Sequence, residues 1–342
     1  MRGFASDNYA PVHPDVLAEL AHVNDGHAKA YGYDDVTVEL QGLFKDHFGP
    51  NTKAFVVFNG TGANVVSLQL LLRPWESVIC ASTAHINVDE GGAPEHYLGT
   101  KLVDVPTEHG KLTPELVRTA WQRVGDEHAT QPRVVSVTQS TELGTRYSAD
   151  EVGALADTAH GFGGYLHVDG ARISNAAAGL GVDFKEFTTD VGVDVLSFGG
   201  TKNGLMGAEA VLVLNPGIDA KSVLNIRKQA MQLSSKQRYM SAQLVALLRD
   251  GLWHRLASHS NAMAQRLATA VGDIPGVTLT HPVQANGVFA IIPGDAIATL
   301  QASYPFYEWD ENTHEVRWMC SWDTTEADID SFAGLVRSTL AG

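Results

Sequence analysis

The sequence contains little cysteine, little positive charge and no long apolar run. Its two cysteines, Cys80 and Cys320, cannot form a disulfide framework, and because both lie in apolar, strand-like runs we expect buried, reduced thiols. The 24 lysines and arginines against 39 aspartates and glutamates give a net charge of −15, which disfavours nucleic acids and anionic membranes as partners. No uncharged stretch reaches the length of a membrane span, and residues 1–9 include no apolar leader core. We therefore expect a soluble, cytoplasmic protein.

Strand-like and helix-like patterns alternate along most of the chain. Short apolar runs predict strands at 54–58, 78–81, 102–105, 134–137, 164–168, 193–196 and 210–214. Apolar residues at helical spacing predict helices at 36–48, 63–72, 85–98 and 149–160, and another that starts at 113–115. Such alternation predicts an α/β fold in which a mostly parallel sheet has helices on both faces.

The beginning and the end of the chain have other patterns. Residues 219–271 are helical in pattern, and strands at 277–279, 287–292 and 315–321 and a helix at 325–340 are predicted after them. We expect an arm over 1–20, a large domain over 21–245 and a smaller α+β domain over 246–342. Residues 4–14 are polar, aromatic and proline-punctuated, which predicts extended chain, either as a free tail or as a docked arm that makes contacts.

A lysine among small residues follows the predicted strand at 193–196. Lys202 lies on the glycine-rich turn 197–204, where burial would keep its amine neutral and able to attack a carbonyl group. Asp169 follows the preceding predicted strand. A strand-end aspartate can keep a pyridine nitrogen protonated while a strand-end lysine holds an aldehyde, and a pyridoxal 5'-phosphate site requires both. The pair predicts that cofactor.

Two further strand ends bear groups suited to the same ligand. Gly60 and Thr61 join a strand to a helix, so backbone amides, a hydroxyl and the helix dipole could together bind a phosphate; a simple glycine turn is the alternative. His85 follows the strand at 78–81, where its ring could stack on the cofactor, although a structural role is the usual one in a chain with 14 histidines. The glycines at 161–164 precede a strand, so a dinucleotide site is not predicted. We predict no bound metal ion.

These motifs together resemble one enzyme family. The segments 6–9, 31–35, 59–64, 167–172 and 197–204, with His85, are similar to those of low-specificity L-threonine aldolases, which are fold type I, aspartate-aminotransferase-like pyridoxal phosphate enzymes. The resemblance implies retro-aldol cleavage of L-threonine, L-allo-threonine and related L-β-hydroxy-α-amino acids to glycine and an aldehyde.

The resemblance also implies roles for single residues. Lys202 would form the Schiff base with the cofactor, and Asp169 would pair with its pyridinium nitrogen. His85 would cover the face of the ring, and Gly60 and Thr61 would bind the phosphate.

The substrate would be bound by a second set of residues, of which Arg172 would also contact the cofactor: Ser6, Tyr31, Arg172 and Arg317. Two guanidinium groups can grip one carboxylate and fix an amino acid against the ring. A surface charge on a strand is the alternative interpretation of Arg317.

The loop at 136–145 departs from the family pattern. Many threonine aldolases have a histidine there that contacts the β-hydroxyl group of the substrate, and Glu142 takes its place in this sequence. Glu142 could accept the β-hydroxyl proton, or could orient a water molecule or His85 that accepts it. It could also be only an acceptor for backbone amides of its loop. The sequence leaves the identity of the base open.

Other functions and the assembly follow from the same resemblance. A β-eliminating lyase of the same fold is the second hypothesis, and a non-catalytic relative is the third, against which Lys202 and Asp169 argue. The family implies a homodimer, or a tetramer of two dimers, with active sites at the dimer interface. A basic run could be a solvated helix face or could reach the partner's cofactor phosphate: Lys221, Arg227, Lys228, Lys236 and Arg238.

Overall fold

A seven-stranded sheet forms the centre of the larger part of the molecule. The structure, a computed structural model, describes residues 3–341. The strands of this sheet are β1 (Lys53–Val57), β2 (Glu76–Ala81), β3 (Lys101–Val105), β4 (Gln131–Thr138), β5 (Tyr165–Gly170), β6 (Val195–Gly199) and β7 (Glu209–Val213). Across the sheet their order is β1-β7-β6-β5-β4-β2-β3. Each strand overlaps a predicted strand, and the predicted α/β fold is confirmed.

Strand β7 is the exception to the parallel arrangement. Five adjacent strands are parallel to one another: β3, β2, β4, β5 and β6. Strand β7 pairs antiparallel with both β6 and β1. The connection 200–208 is the reason, because a parallel crossover needs about a dozen residues or more. As a result, the amino end of β7 and the carboxyl ends of the other strands lie at the same edge.

Helices cover both faces of this sheet. Alternate strand residues enter two separate apolar cores: Val134 and Val195 point to one, and Val135 and Leu196 point to the other. A sheet that is apolar on both faces must be covered on both. The helices of the chain are α1 (Pro14–His22), α2 (Asp35–Phe48), α3 (Gly60–Leu71), α4 (His85–Val88), α5 (Ala93–Leu98), α6 (Pro114–Ala120), α7 (Ala149–Gly161), α8 (Ile173–Leu180), α9 (Ser222–Gln229), α10 (Arg238–Leu248), α11 (Leu252–Gly272), α12 (Gly294–Gln301) and α13 (Glu326–Leu340).

The predicted helix at 85–98 is in fact two short helices. Residues 89–92 separate α4 from α5, because Gly91 and Gly92 have φ angles of +59° and +71° that a right-handed helix cannot contain. The break turns Glu90 into the interior, where it is buried. A continuous helix would have placed that carboxylate elsewhere.

A second, antiparallel sheet follows the long helix α11. Its strands are β8 (Thr278–Leu279), β9 (Gly287–Ile291), β10 (Tyr307–Asp310) and β11 (Glu315–Met319), in the order β10-β11-β9-β8. Strands β8, β9 and β11 and helix α13 were predicted, whereas β10 and α12 were not. A separate apolar core around Trp318 and Phe332 joins this sheet to α11 and α13.

The N-terminal segment is docked on this second sheet. Phe4 is buried in its core, accepts a hydrogen bond from the Met319 amide at 2.8 Å and donates one to the Pro305 carbonyl at 2.7 Å. The docked alternative is therefore the one observed. Residues 1 and 2 of the predicted arm, and residue 342, lie outside the described residues. The helix α1 was not predicted; the proline at its first position and the His13 side chain, which accepts from the Asp15 amide, begin it.

Two further expectations concern the cysteines and membranes. Cys80 and Cys320 are both buried and free, as predicted, and burial raises the pKa of the Cys80 thiol to about 12. Among residues 3–341, no helix combines the length and the apolar character that crossing a membrane would need.

Candidate active site

The predicted site residues follow strands that end at one edge of the large sheet. Lys202 comes after β6, Asp169 lies at the end of β5, and Glu142 comes after β4. His85 follows β2, and Gly60 begins the helix after β1. Ligands of open α/β sheets bind at this edge. The fold therefore brings these five residues to one edge, as the sequence predicted.

The turn that bears Lys202 is held by a buried carboxylate. Glu209, at the amino end of β7, accepts hydrogen bonds from the backbone amides of Gly200 at 2.8 Å and Thr201 at 3.3 Å. Burial raises the pKa of Glu209 to about 7. Glu209 was not predicted as a site residue, although a glutamate that opens an apolar strand run is an unusual feature that could have drawn attention to it.

The Lys202 amine lies among opposing charges. The guanidinium of Arg172 is the largest cause that lowers the pKa of Lys202, and burial lowers it further. The carboxylates of Asp7, Asp169 and Glu209 act in the opposite direction, and the net shift is downward. A lowered pKa favours the neutral amine, which is the nucleophilic form.

Asp169 is buried and oriented by two donors. Its Oδ1 accepts from the Ala171 amide at 2.9 Å, and its Oδ2 accepts from Nδ2 of Asn64 at 2.8 Å. Below it, on the same face of β5, His167 bonds to Ser136 at 2.9 Å and to Ser197 at 3.0 Å. Complete burial lowers the pKa of His167 to about 4, so this histidine is neutral. The floor of the site is therefore fixed by hydrogen bonds between side chains.

The imidazole of His85 is paired with Glu90. Nδ1 of His85 lies 2.9 Å from Oε1 of Glu90, whose side chain is fully buried. The same oxygen accepts from Nδ2 of Asn64 at 2.8 Å, so a hydrogen-bonded chain runs from His85 through Glu90 and Asn64 to Asp169. The hydrogen bond to Glu90 is the largest cause that raises the pKa of His85. Sequence reasoning missed Glu90.

Glu142 contacts the backbone of His85 rather than its ring. Oε1 of Glu142 accepts from the His85 amide at 2.9 Å and from the Thr138 hydroxyl at 2.6 Å. Burial is the largest influence on this carboxyl group and raises its pKa, against the hydrogen bonds that lower it. Glu142 thus fixes the position at which α4 begins.

Arg172 is part of a buried ion pair with the N-terminal segment. Its Nε and Nη2 donate to the two carboxylate oxygens of Asp7 at 2.7 and 2.9 Å. Nδ2 of Asn286, from the segment before β9, donates to Asp7 at 3.0 Å. The Arg172 charge lowers the pKa of Asp7 in spite of its burial. Arg172 was predicted to contact the substrate and the cofactor, and Asp7 was not predicted as its partner.

Arg317 lies on β11, near Arg172 but without an ion pair among the described residues. Its Nη2 donates to the Ala5 carbonyl at 3.1 Å, and its guanidinium lies 4.8 Å from the ring centroid of Trp309. Burial and the neighbouring Arg172 charge lower its pKa to about 10. Its Nε is buried without a hydrogen-bond partner.

The two remaining predicted substrate contacts lie in different places. Ser6 is between Ala5 and Asp7, which contact the two arginines, and its hydroxyl accepts from the Asn8 amide at 3.2 Å. Tyr31 donates its amide to the Ser235 carbonyl at 2.9 Å, and the Lys228 amine lies 5.7 Å from its ring centroid. No contact among the described residues joins Tyr31 to Lys202, so its role stays a prediction.

The first turn of α3 lies where the sequence predicts a phosphate-binding site, at Gly60 and Thr61. Asn59 caps the helix by accepting from the Gly62 amide at 2.7 Å, and the amides of Gly60 and Thr61 have no partner within the helix. The side chain of Gln232 packs so closely against Gly62 that a Cβ atom there would lie 2.2 Å from it. A side chain at this position would require the flexible end of Gln232 to move.

The donor set at this edge fits pyridoxal phosphate. A lysine with a lowered pKa suits the aldehyde, a buried carboxylate suits the protonated pyridine nitrogen, and helix amides suit the phosphate. His85, with 37% of its side chain exposed, is accessible to a ring.

Comparisons with known proteins agree with this geometry. The family model of the β-eliminating lyases matches residues 3–293. A low specificity L-threonine aldolase of Pseudomonas sp. (strain NCIMB 10558) is 44% identical over 99% of this chain and 98% of its own length. The protein of the same name from Pseudomonas aeruginosa is 45% identical over 98% of this chain and 96% of its own.

A solved structure leads to the same family. The threonine aldolase of Leishmania major superposes with a TM-score of 0.93 at 28% identity and covers 99% of both chains. A putative L-allo-threonine aldolase of Listeria monocytogenes, at 16% identity and a TM-score of 0.73, shares the fold. The chain belongs to the β-eliminating lyase family and, within it, to the group of the low-specificity L-threonine aldolases.

Proposed function

We propose that this protein is a pyridoxal phosphate-dependent aldolase that cleaves L-threonine, L-allo-threonine and related L-β-hydroxy-α-amino acids to glycine and an aldehyde. The observation that supports this most strongly is the position of Arg172 beside the lysine that would hold the cofactor, with Arg317 in turn beside Arg172. This arrangement suits an amino acid whose carboxylate is bound while its Cα–Cβ bond is broken.

The cofactor would be held by residues that the sequence predicted. Lys202 would hold its aldehyde, Asp169 its pyridine nitrogen, and Gly60 and Thr61 its phosphate, with His85 against the ring. When bound, pyridoxal phosphate supplies the electron sink for the pair of the broken Cα–Cβ bond.

The two arginines would bind the substrate carboxylate between them. Arg172 uses Nε and Nη2 on Asp7, which leaves Nη1 for a ligand. Arg317 has an unpaired Nε, and each guanidinium disfavours the charge of the other. A carboxylate between them would relieve this repulsion and satisfy free donors, which gives a physical reason for affinity. Ser6 and Tyr31 are proposed as further substrate contacts.

A base must take the proton from the β-hydroxyl group as the Cα–Cβ bond breaks. Glu142 was predicted as one candidate, but its Oε1 is already engaged by the His85 amide and the Thr138 hydroxyl. This contact supports the alternative that Glu142 orients His85. His85 is then the group that acts on the substrate.

A product assay tests the proposed function. Incubation of the cofactor-loaded protein with L-threonine and with L-allo-threonine should release glycine and acetaldehyde. 2-Oxobutyrate with ammonia, and no glycine, would instead favour the β-eliminating lyase. Borohydride reduction should attach the cofactor to the peptide that contains Lys202; attachment at Lys53 or Lys228 would overturn the site assignment.

We also propose a homodimer, or a tetramer of two dimers, in the cytoplasm. Large exposed apolar side chains support an assembly, since Tyr33 is 72% exposed and Met231 66% exposed. In such an assembly the exposed basic residues of α9 and its neighbourhood, Lys228 among them, could reach a partner's phosphate. Light scattering that finds a monomer at all concentrations would contradict this.

A further inference from the structure

We propose that Glu90 is a positioning residue of the aldol cleavage: its buried carboxylate holds the N–H of Nδ1 in His85, so that Nε2 presents its lone pair to the β-hydroxyl group of the substrate. This inference rests on the proposed function. It adds the residue that selects which nitrogen of the imidazole acts as the base.

The hydrogen bonds around Glu90 determine the tautomer. Oε1 of Glu90 receives a donor from Asn64 at 2.8 Å and lies 2.9 Å from Nδ1 of His85. An ionised carboxylate only accepts hydrogen bonds, so Nδ1 must supply the proton. In a neutral imidazole, a proton on Nδ1 leaves Nε2 without one.

The orientation of Asn64 supports the same conclusion. Its Nδ2 has two acceptors, Oε1 of Glu90 and Oδ2 of Asp169, both at 2.8 Å. A flipped amide would place an oxygen against two carboxylates, so the nitrogen must face them. Asn64 thus separates two buried acids and keeps Glu90 an acceptor toward His85.

His85 has the freedom and the anchoring that this role needs. Its main chain is fixed by Glu142, which accepts from its amide at 2.9 Å, and 37% of its side chain is exposed. Nε2 makes no hydrogen bond to any residue between 3 and 341. The ring is therefore oriented by two glutamates while its second nitrogen remains available to a ligand.

The proton balance of the step is complete. The O–H bond of the β-hydroxyl breaks, its proton bonds to Nε2, and the oxygen pair becomes the second C–O bond of the aldehyde. The electron pair of the broken Cα–Cβ bond stays with Cα, which takes up one proton from solvent to give glycine, while the imidazolium releases its proton to solvent and becomes neutral again. The transient imidazolium has its positive charge beside the Glu90 carboxylate, which stabilises it.

The charged groups that face His85 predict the effect of removing this carboxylate. Glu90 and Asp169 raise the pKa of His85, Lys202 lowers it, and Glu142 contacts only its backbone. Glu90→Gln removes the largest of these influences. The pKa of His85 should therefore fall, and the acid limb of the kcat profile should move to lower pH.

The test compares cofactor-loaded parent enzyme with Glu90→Gln, and with Glu95→Gln as the matched control from the exposed face of α5. Glu90→Gln should lower kcat for L-threonine by about 10²–10⁴-fold, the range for a misdirected general base. It should leave the spectroscopic Kd for glycine within about 3-fold, because glycine has no β-hydroxyl group, and Glu95→Gln should match the parent.

Imidazole nitrogen shifts give a readout that does not depend on turnover. In the ¹⁵N-histidine-labelled parent enzyme, His85, assigned by loss of its signals in His85→Phe, should carry its proton on Nδ1. Glu90→Asp retains a carboxylate and should recover part of kcat. A parent enzyme protonated at Nε2, or a Glu90→Gln enzyme with unchanged kcat and pH profile, would overturn the proposal. Absence of glycine release by the parent would instead overturn the proposed function itself.

Discussion

The two sides of the active-site cleft satisfy their charges in different ways. On the large-sheet side, Asp169 and Glu90 are each bonded to side chains of the same layer. On the small-sheet side, the Arg317 guanidinium contacts aromatic rings and donates one hydrogen bond to a backbone carbonyl, and its Nε has no hydrogen-bond partner. On the first side the hydrogen bonds that orient the two carboxylates are formed before a ligand binds, although Oε2 of Glu90 and Oδ1 of Asn64 are buried without partners. On the second side the unpaired atom is a charged donor, Nε of Arg317.

This difference corresponds to the two ligands. A permanently held cofactor requires groups whose orientation is fixed in advance. A substrate that must enter and leave requires donors that the protein has left unsatisfied, and a buried donor without a partner costs about 1–3 kcal/mol until the ligand supplies one. Arg172, which is paired with Asp7 but also faces Lys202, stands between these two situations.

The largest loss of activity should follow from removing Lys202, which lies at the large-sheet side of the cleft. Lys202→Ala should lower kcat by at least about 10⁴-fold, because removal of a covalent nucleophile has effects of this size and no other amine replaces it. Steady-state assays with L-threonine measure the loss. Lys53→Ala, at the exposed start of β1, should retain parental activity. Comparable losses in both variants would show that the assigned lysine is wrong.

The two arginines should differ in what they do for stability. Arg172→Ala leaves the buried Asp7 carboxylate without its counter-ion, and breaking a buried pair in this way costs about 3–5 kcal/mol of unfolding free energy. Urea denaturation measures it. Asp7→Asn in the Arg172→Ala background should recover part of the loss, since the unpaired carboxylate charge at position 7 is then removed. Equal destabilisation by Arg317→Ala would contradict the comparison.

Replacing Arg317 should affect catalysis of the substrate more than the stability of the protein. Arg317→Ala should lower kcat/KM. The decrease should correspond to a loss of about 2–5 kcal/mol in transition-state binding, which is the cost of losing half of a desolvated charge pair. The unfolding free energy of this variant should change by only about 1–2 kcal/mol, because the loss consists of its packing on the Trp309 ring and one hydrogen bond to the Ala5 carbonyl, and no buried carboxylate loses its counter-ion. Arg317→Lys keeps the charge without the forked geometry and should be intermediate. Unchanged kcat/KM would return Arg317 to the surface-charge interpretation.

The parts of the site that the sequence predicted are those defined by local pattern. Lys202, Asp169 and Gly60 follow strands, and a strand end can be read from apolar periodicity and glycines alone. The partners that orient them are remote: Asp7 is 165 residues from Arg172, and Asn64 is 105 from Asp169. Such pairs depend on packing between elements, which periodicity does not report.

Glu90 shows a second reason for failure. A helix was predicted over 85–98 after an irregular start, and within a regular helix residues five apart lie on different faces, so His85 and Glu90 would not meet. Two left-handed glycines break that helix and bring the carboxylate back to the ring. A wrong boundary inside one element therefore hid the contact between His85 and Glu90.

The smallest predicted effect concerns the free energy of unfolding at acid pH, to which the buried His167 on the large-sheet side contributes. His167 is fully buried between Ser136 and Ser197, and burial lowers its pKa to about 4, below the ordinary value of 6.5. The unfolded chain therefore binds a proton that the folded protein rejects, so stability falls as pH drops from 6.5 towards 4. The loss attributable to His167 is at most about 3 kcal/mol.

His167→Asn, which cannot titrate, should flatten this part of the stability curve relative to the parent. The quantity to measure is the difference in unfolding free energy between the two proteins. Glu209, whose pKa is raised to about 7, has the opposite effect, because its contribution to the stability of the protein is lost as pH rises from 4.5 towards 7. That contribution is common to both proteins and cancels. His128→Asn, at a side chain 80% exposed, is the matched control and should leave the curve unchanged. If the parent and His167→Asn lose stability in parallel between pH 6.5 and 4, His167 is not the titrating group, and the acid sensitivity of the floor belongs to its carboxylates.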